Sequence, residues 1–336
     1  MKFAIVGAGA IGGYLGARLS LAGHAVTFIA RRRNLQAIAR DGFRLIDEAG
    51  AEHHAREAVA VESMHDAGPQ DAVLLTVKAH QVVELLPDLR ALFGPQTTLV
   101  TMVNGVPWWY FQRLPGSHEG RVLESVDPGG RLAAQIEPER IVGSVVYPAA
   151  ELVAPGVVKV IEGNRFTLGE PDGSRSERIE ALSQVLMGAG FKAPVSKDIR
   201  GEIWVKLWGN LSFNPLSALT HATLESICRF GPTRALAARM MAEAQAVGEA
   251  LGVRFKVSLE QRIAGAEAVG AHKTSMLQDV EQGRPLELAA LVGAVVELGQ
   301  VAGVPTPTIE AVHAATALLA QTLAAERGCL RVQPLG

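Results

Sequence analysis

Three polar side chains recur at a fixed step in the second half of the chain: Lys206, Asn210 and Asn214, at i, i+4 and i+8. On a helix with 3.6 residues per turn, four-residue steps drift by about 40° each, so the three share one face. One ammonium above two carboxamides suits a small oxyanion substrate. A fixed positive charge is worth most where a ligand carries or develops negative charge. On spacing alone, a solvated helix face explains the stripe equally well. Leu207, Leu211 and the neighbouring tryptophans fall on other faces, where they can pack. Pro215 disfavours helical geometry at Asn214, so the helix is expected to bend or end there. An unperturbed lysine, with a pKa of about 10.4, would be protonated at neutral pH.

The second chemical signal is Gly7-Ala8-Gly9-Ala10-Ile11-Gly12, a G-x-G-x-x-G. Gly7 makes a tight turn, Gly9 lets a pyrophosphate approach the backbone, and Gly12 allows close helix–strand packing. The helix that follows offers free N–H groups and the positive end of its dipole. The stretch follows a strand, opens a helix and leads to a second strand, the context a dinucleotide loop requires. Gly7, Gly9, Ala10, Ile11 and Gly12 are therefore candidate cofactor contacts. An NAD site carries Asp or Glu at the end of the second strand, whereas this chain has Arg31-Arg32-Arg33. Guanidinium groups suit a 2′-phosphate, which points to NADP(H) with Arg31 foremost and Arg32 sharing the role. A solvated basic turn is the plain alternative.

The elements that must position these groups read as follows. Lys2–Val6 is an apolar strand, the glycine cluster opens a helix to about Ala22, and Ala25–Ala30 is a second strand. A helix covers roughly Asn34–Arg40, and Asp71–Val77 and Thr97–Val103 are continuous apolar runs of strand length. Such runs suit parallel strands buried on both faces, and their alternation with helices argues for a doubly wound α/β sheet. Short β-like runs at Arg121–Val126, Ile141–Tyr147, Val157–Ile161 and Arg165–Leu168 look like strands finishing that sheet. A helix near Ser174–Met187 follows, and beyond Ser196 nearly everything reads helical. The expected domains are 1–196, an α/β nucleotide-binding domain, and 197–330, an all-helical domain.

Length and composition fit this picture. The 336 residues are 48% hydrophobic and 20% charged, which excludes a disordered chain and leaves room for about two domains. Lys+Arg 32 against Asp+Glu 34 leaves a net charge of -2, with no basic surplus for nucleic acid or an anionic membrane. Two distant cysteines, Cys228 and Cys329, build no disulfide framework or Cys-rich zinc site, as expected of a reducing, cytoplasmic compartment. Glycines interrupt the N-terminal apolar stretch, against a secretory signal. Glu287, Glu297 and Gln300 interrupt Leu286–Val304, which reads as a core or interface helix rather than a membrane span. The apolar C-terminal helices suit either a homodimer or a thick monomeric core. The nine histidines show no metal-ligand spacing, and no metal site is expected. Trp108, Trp109 and Tyr110 read as packing residues before pocket walls.

Taken together, GAGAIG, Lys78 in TVKAHQ, Asn104-Gly105 in MVNGV, Lys206-(x)3-Asn210-(x)3-Asn214-Pro215-Leu216 and Ser275-Met276-Leu277-Gln278-Asp279 before Glu287 resemble the ketopantoate reductase (2-dehydropantoate 2-reductase) family. The resemblance spans nearly the whole chain, and the last two stretches are its most specific parts. It implies an N-terminal Rossmann-type domain followed by a helical substrate and catalytic domain. It implies NADPH-dependent reduction of 2-dehydropantoate to (R)-pantoate, within pantothenate biosynthesis, with Lys206 as general acid. By the same resemblance Asn104 and Glu287 serve both the reacting centre and the cofactor. Asn210, Asn214 and Ser275 bind substrate, and Lys78 lies near the 2′-phosphate beside Arg31. Many family members continue the glutamate as Glu-Ile-Asp-Tyr, whereas this chain reads Glu287-Leu288-Ala289-Ala290. Val106-Pro107-Trp108-Trp109-Tyr110-Phe111 after the Asn-Gly is also unusual. Both departures bear on substrate identity more than on reaction type. The alternatives are the same hydride chemistry on another small 2-oxo acid or imine, or a non-catalytic NADP-binding sensor.

Overall fold

The computed structural model describes residues 1–333, which form two compact units. Met1–Val103, Pro107–Val122 and Gly129–Glu202 make an α/β unit. Asn104–Val106, Leu123–Pro128 and the described residues from Ile203 onward make a helical unit. Two short stretches from the N-terminal half of the sequence thus belong with the helices.

The strands of the α/β unit are β1 (Lys2–Val6), β2 (Ala25–Ile29), β3 (Phe43–Ile46), β4 (Glu52–Ala55), β5 (Val59–Val61), β6 (Gln70–Leu75), β7 (Phe93–Thr101), β8 (Ile141–Val146), β9 (Ala149–Ala154), β10 (Val157–Glu162) and β11 (Phe166–Gly169). Seven form one sheet in the order β11-β8-β7-β6-β1-β2-β5. It is parallel throughout except for β11, which runs antiparallel to β8. Residues such as Ile5, Val73, Leu74 and Val100 are fully buried, which is why these strands read as unbroken apolar runs. The connection reverses direction at β1, with β2 on one side and β6 on the other, the switch point where such sheets bind ligands.

A second sheet, β4-β3-β10-β9, was not apparent in the sequence. Val157–Ile161 belongs to it rather than finishing the first sheet, whereas β8 and β11 do finish the first. Arg121–Val126 is not a strand: it turns through Leu123, whose carbonyl accepts from Val126 and Asp127 N–H. Its apolar residues serve tertiary packing, with Leu123 fully buried, rather than a ladder.

Helix α1 (Ala10–Leu21) packs on β1 and β2 of one sheet and on β3, β4, β9 and β10 of the other. A helix covered on opposite faces must be apolar or small nearly all round. Gly13 and Gly16 answer to this, since a Cβ at either would overlap the Phe43 or the Phe28 ring. These rings, from different sheets, stack with centroids 4.8 Å apart. The unit is completed by α2 (Arg32–Asp41), α3 (Met64–Ala67), α4 (Val82–Leu89), α5 (Arg131–Gln135) and α6 (Glu177–Gly188).

The helical elements then run α7 (Ile199–Thr220), α8 (Leu224–Arg229), α9 (Gly231–Ala250), α10 (Leu259–Ala268), α11 (Ser275–Glu281), α12 (Ala294–Ala302) and α13 (Pro307–Ala325). A π-turn at Ala289–Gly293 leads into α12. Helix α7 does not end at Asn214 as Pro215 suggested, but continues to Thr220 with the proline inside. Leu211, Phe213, Leu216 and Ala218 are buried on either side, so tertiary packing overrides the local preference. Among the described residues no helix is long and apolar enough to cross a membrane.

Candidate active site

Lys206 owes its direction to the tryptophans beside it. Trp204 and Trp208 are fully buried on one side of α7, and both rings meet Phe255, with centroids 6.2 and 4.7 Å away. Trp208 Nε1 also donates to the Met241 carbonyl at 2.7 Å. Two residues from each tryptophan, Lys206 is turned about 200° around the axis, to the opposite face. Its Nζ donates to Asn104 Oδ1 at 2.6 Å. Burial of the ammonium lowers its pKa from the ordinary lysine value to about 8, and the negative charge of Glu287 opposes that shift. The ordinary value expected from sequence therefore does not hold. Desolvation penalises the charged form, and one nearby carboxylate only partly compensates.

Asn104 reaches the lysine from a turn held by unusual backbone geometry. Gly105 has φ of +87°, which glycine adopts without strain. Val106 N–H donates to the Ala290 carbonyl at 2.9 Å. A Cβ at Gly105 would overlap that carbonyl and stand 2.9 Å from Ala290 Cβ. Ala290 is buried in the π-turn, which begins two residues after the half-buried Leu286–Glu287 pair. The Ala289-Ala290 departure from the family run thus sits where the Asn104 turn makes its contact.

Asn210 and Asn214 continue the stripe along α7, Asn210 half-buried and Asn214 buried. The bonds Ser212 Oγ to Trp208 O (3.2 Å) and Thr220 Oγ1 to Leu216 O (2.6 Å) flank this stretch. Ser275 is placed by another element, at the exposed first position of α11. The preceding Thr274 caps that helix, its Oγ1 accepting from Leu277 N–H at 3.2 Å. The rest of the Ser-Met-Leu-Gln-Asp stretch is largely architectural. Met276 and Leu277 are core residues, and buried Asp279 pairs with Arg284 at 2.7 Å.

The cofactor candidates lie in the α/β unit, at the carboxyl ends of three adjacent parallel strands. Gly7 follows β1, Arg31 follows β2 and Lys78 follows β6. A Cβ on Gly12 would overlap the Gly7 carbonyl and come within 3.0 Å of Ile5, so this glycine is a packing requirement. Gly9, by contrast, has open space where its Cβ would be, and nothing inside the protein demands a glycine there. It is the N-cap of α1, with no side-chain cap and no acidic residue in the first turn, while Ala10 and Ile11 start the helix half-buried. A backbone kept bare at an uncapped helix N-terminus fits the close approach of a pyrophosphate. Arg31, Arg32 and Arg33 are all exposed, and Arg32 takes a left-handed φ of +53° at the first position of α2.

The description "Ketopantoate reductase PanE/ApbA" belongs to a family profile matched by residues 3–173, and its C-terminal counterpart is matched by residues 198–320. The chain belongs to the ketopantoate reductase family. A 2-dehydropantoate 2-reductase of Mesorhizobium japonicum is 54% identical over 330 residues, covering 98% of this chain and 99% of the relative. Another, of Archaeoglobus fulgidus, is 29% identical over 89% of this chain and 91% of its own. Among solved structures, a candidate ketopantoate reductase from Ralstonia solanacearum MolK2 superposes with a TM-score of 0.91 at 42% identity, over 96% of this chain and 98% of that one. The 2-dehydropantoate 2-reductase of Geobacter metallireducens gives 0.82 at 28%, over 96% and 99%.

Within this ketopantoate reductase fold, several supporting residues escaped the sequence reading. Thr76 Oγ1 reaches the carbonyls of Gly7 (2.8 Å) and Val6 (3.1 Å), bracing the glycine loop. Asn34 Nδ2 donates to the Ala8 carbonyl at 2.8 Å, and its Oδ1 accepts from Gly156 N–H at 3.1 Å, tying the loop to the start of β10. Their signal was adjacency alone: Thr76 lies two residues before Lys78, and Asn34 follows the arginine run. Trp108, Trp109, Tyr110 and Phe111 are all buried, with Trp109 Nε1 donating to Thr101 Oγ1 at 2.9 Å, so this stretch packs the α/β unit. Among the described residues no cluster of three or more His, Cys, Asp or Glu could hold a metal ion.

Proposed function

We propose that this chain reduces 2-dehydropantoate to (R)-pantoate with NADPH, using Lys206 as the general acid. The observation that carries the reading is the desolvated Lys206 ammonium, held 2.6 Å from Asn104 Oδ1 with Glu287 close enough to act on its charge. The α/β unit takes the cofactor: Gly7, Gly9, Ala10, Ile11 and Gly12 receive the pyrophosphate, and Arg31, Arg32 and Lys78 hold the 2′-phosphate. Exposed guanidinium groups favour a dianion over a bare ribose hydroxyl, which supports NADP rather than NAD. When bound, the reduced nicotinamide supplies the hydride.

The helical unit supplies the remaining chemistry. Lys206 Nζ hydrogen-bonds the keto oxygen and polarises the carbonyl. As C2 accepts the hydride, the oxygen becomes an alkoxide and takes a proton from Nζ, which solvent then restores. With its pKa lowered to about 8, the lysine still carries its proton at neutral pH, and its acidity lies nearer the working pH than an ordinary lysine's. Glu287 keeps the proton on Nζ against the cost of burial, and Asn104 orients the ammonium by accepting one of its N–H bonds. Asn210, Asn214 and Ser275 donate to the substrate carboxylate and hydroxyl.

The test is NADPH oxidation with 2-dehydropantoate, beside a small panel of other 2-oxo acids and with NADH as control. Saturable turnover that prefers 2-dehydropantoate and NADPH is the expected result. Turnover only with another member of the panel would move the substrate. Silence across the panel despite tight NADPH binding would favour a sensor.

A further inference from the structure

In a regular α-helix the Ala290 carbonyl would accept from the N–H of Ala294. Here the Ala294 N–H donates to the Ala289 carbonyl instead, the wider spacing of a π-turn. The Ala290 carbonyl, which that wider spacing no longer pairs with Ala294, accepts from Val106 N–H at 2.9 Å, across a sequence gap of more than half the chain. Gly105 is the residue that lets the two backbones meet, because its positive φ and missing Cβ are both required there. The turn so fixed carries Asn104, and the π-turn so used begins two residues after Glu287. Single π-turns inside helices often occur at functional sites, where the extra residue re-aims the backbone.

We infer that the π-turn at Ala289–Gly293 is the device that positions Asn104 against Lys206, through the Ala290 carbonyl, with Gly105 and Ala290 acting as positioning residues. The inference rests on the reading of Lys206 as proton donor, and it adds what sets that donor's geometry. Asn104 and Glu287 come from distant parts of the sequence, yet the contact of Val106 with Ala290 binds their segments into one frame. Displacing the turn removes an acceptor from the ammonium without touching the lysine.

The experiment measures the Lys206 ammonium without substrate, by competitive acylation with acetic anhydride across a pH series, read by mass spectrometry with the other lysines as internal standards. In Gly105→Ala, the labelling midpoint should fall below the wild-type value, because the charged form loses its acceptor. The kcat for reduction should drop by about 10²-fold, the scale of a roughly 1 Å misplacement. Asn104→Ala should shift the midpoint similarly, and the double variant should go no further, as expected for residues acting through one contact. Deletion of exposed Ala289, which returns the π-turn to helical register, should reproduce the shift if Gly105→Ala fails to fold. Unchanged midpoints in the folded variants, or shifts that add in the double variant, would overturn the inference. A non-additive shift in a protein that does not reduce 2-dehydropantoate would leave the inference standing and remove the substrate.

Discussion

The glycine loop of the α/β unit and the lysine site of the helical unit are built on opposite physical plans. The loop is contiguous, from Gly7 to Gly12, and in the proposed reading its backbone donors and the exposed arginines meet a ligand that brings its own charge. The lysine site gathers Asn104, Lys206 and Glu287 from segments far apart in sequence and takes a charge out of water. Binding by exposed charge is screened and tolerant, and each arginine contributes a share. A desolvated ammonium is neither screened nor shared, so its small set of neighbours decides its acidity. Cofactor affinity and proton transfer should therefore respond to different substitutions and different solution conditions.

That separation can be broken by variants. Lys206→Ala should have the largest effect, lowering kcat by about 10²- to 10⁴-fold, the usual range for a lost general acid, while the NADPH dissociation constant stays near wild type. A parallel loss of NADPH affinity, read by fluorescence titration, would mean that the two regions are not separable. Arg31→Ala should do the reverse, weakening NADPH by about 10- to 100-fold, as for a lost charge-assisted hydrogen bond, with kcat at saturation nearly unchanged. The loss should shrink with added salt, and an unaltered NADPH/NADH preference would rule out the 2′-phosphate role. Glu287→Gln should give a subtler change. Removing the charge that opposes desolvation should move the alkaline limb of the pH–rate profile to lower pH, and a limb that stays in place would show that the carboxylate does not act on Lys206.

The same contrast governs what was legible in the sequence. The strand–glycine loop–helix unit could be read because its pattern lies in spacing along one local segment, and the buried parallel strands show as apolar runs such as β6. The lysine stripe was legible as a face of α7, but its acidity was not, because desolvation arises from neighbours that spacing does not encode. Pro215 marked a local preference that did not end the helix, since buried residues on both sides carry α7 through it to Thr220. Arg121–Val126 carried an apolar pattern that serves tertiary contact instead of a ladder. The second sheet escaped because β3 and β4 are only four residues each, and β3 finds its partner in distant β10. The bond between Val106 and Ala290 left no trace beyond a glycine after an asparagine.

The most direct measurement is the pH dependence of kcat/KM for NADPH-dependent reduction of 2-dehydropantoate. Burial holds the Lys206 pKa below the ordinary lysine value, at about 8, and in the proposed mechanism reduction needs the protonated form. The rate should therefore be sustained below that pH and fall tenfold per unit above it, with the limb abolished in Lys206→Ala. A profile that stays level to about pH 10, where an ordinary lysine titrates, would contradict a desolvated lysine as the proton donor.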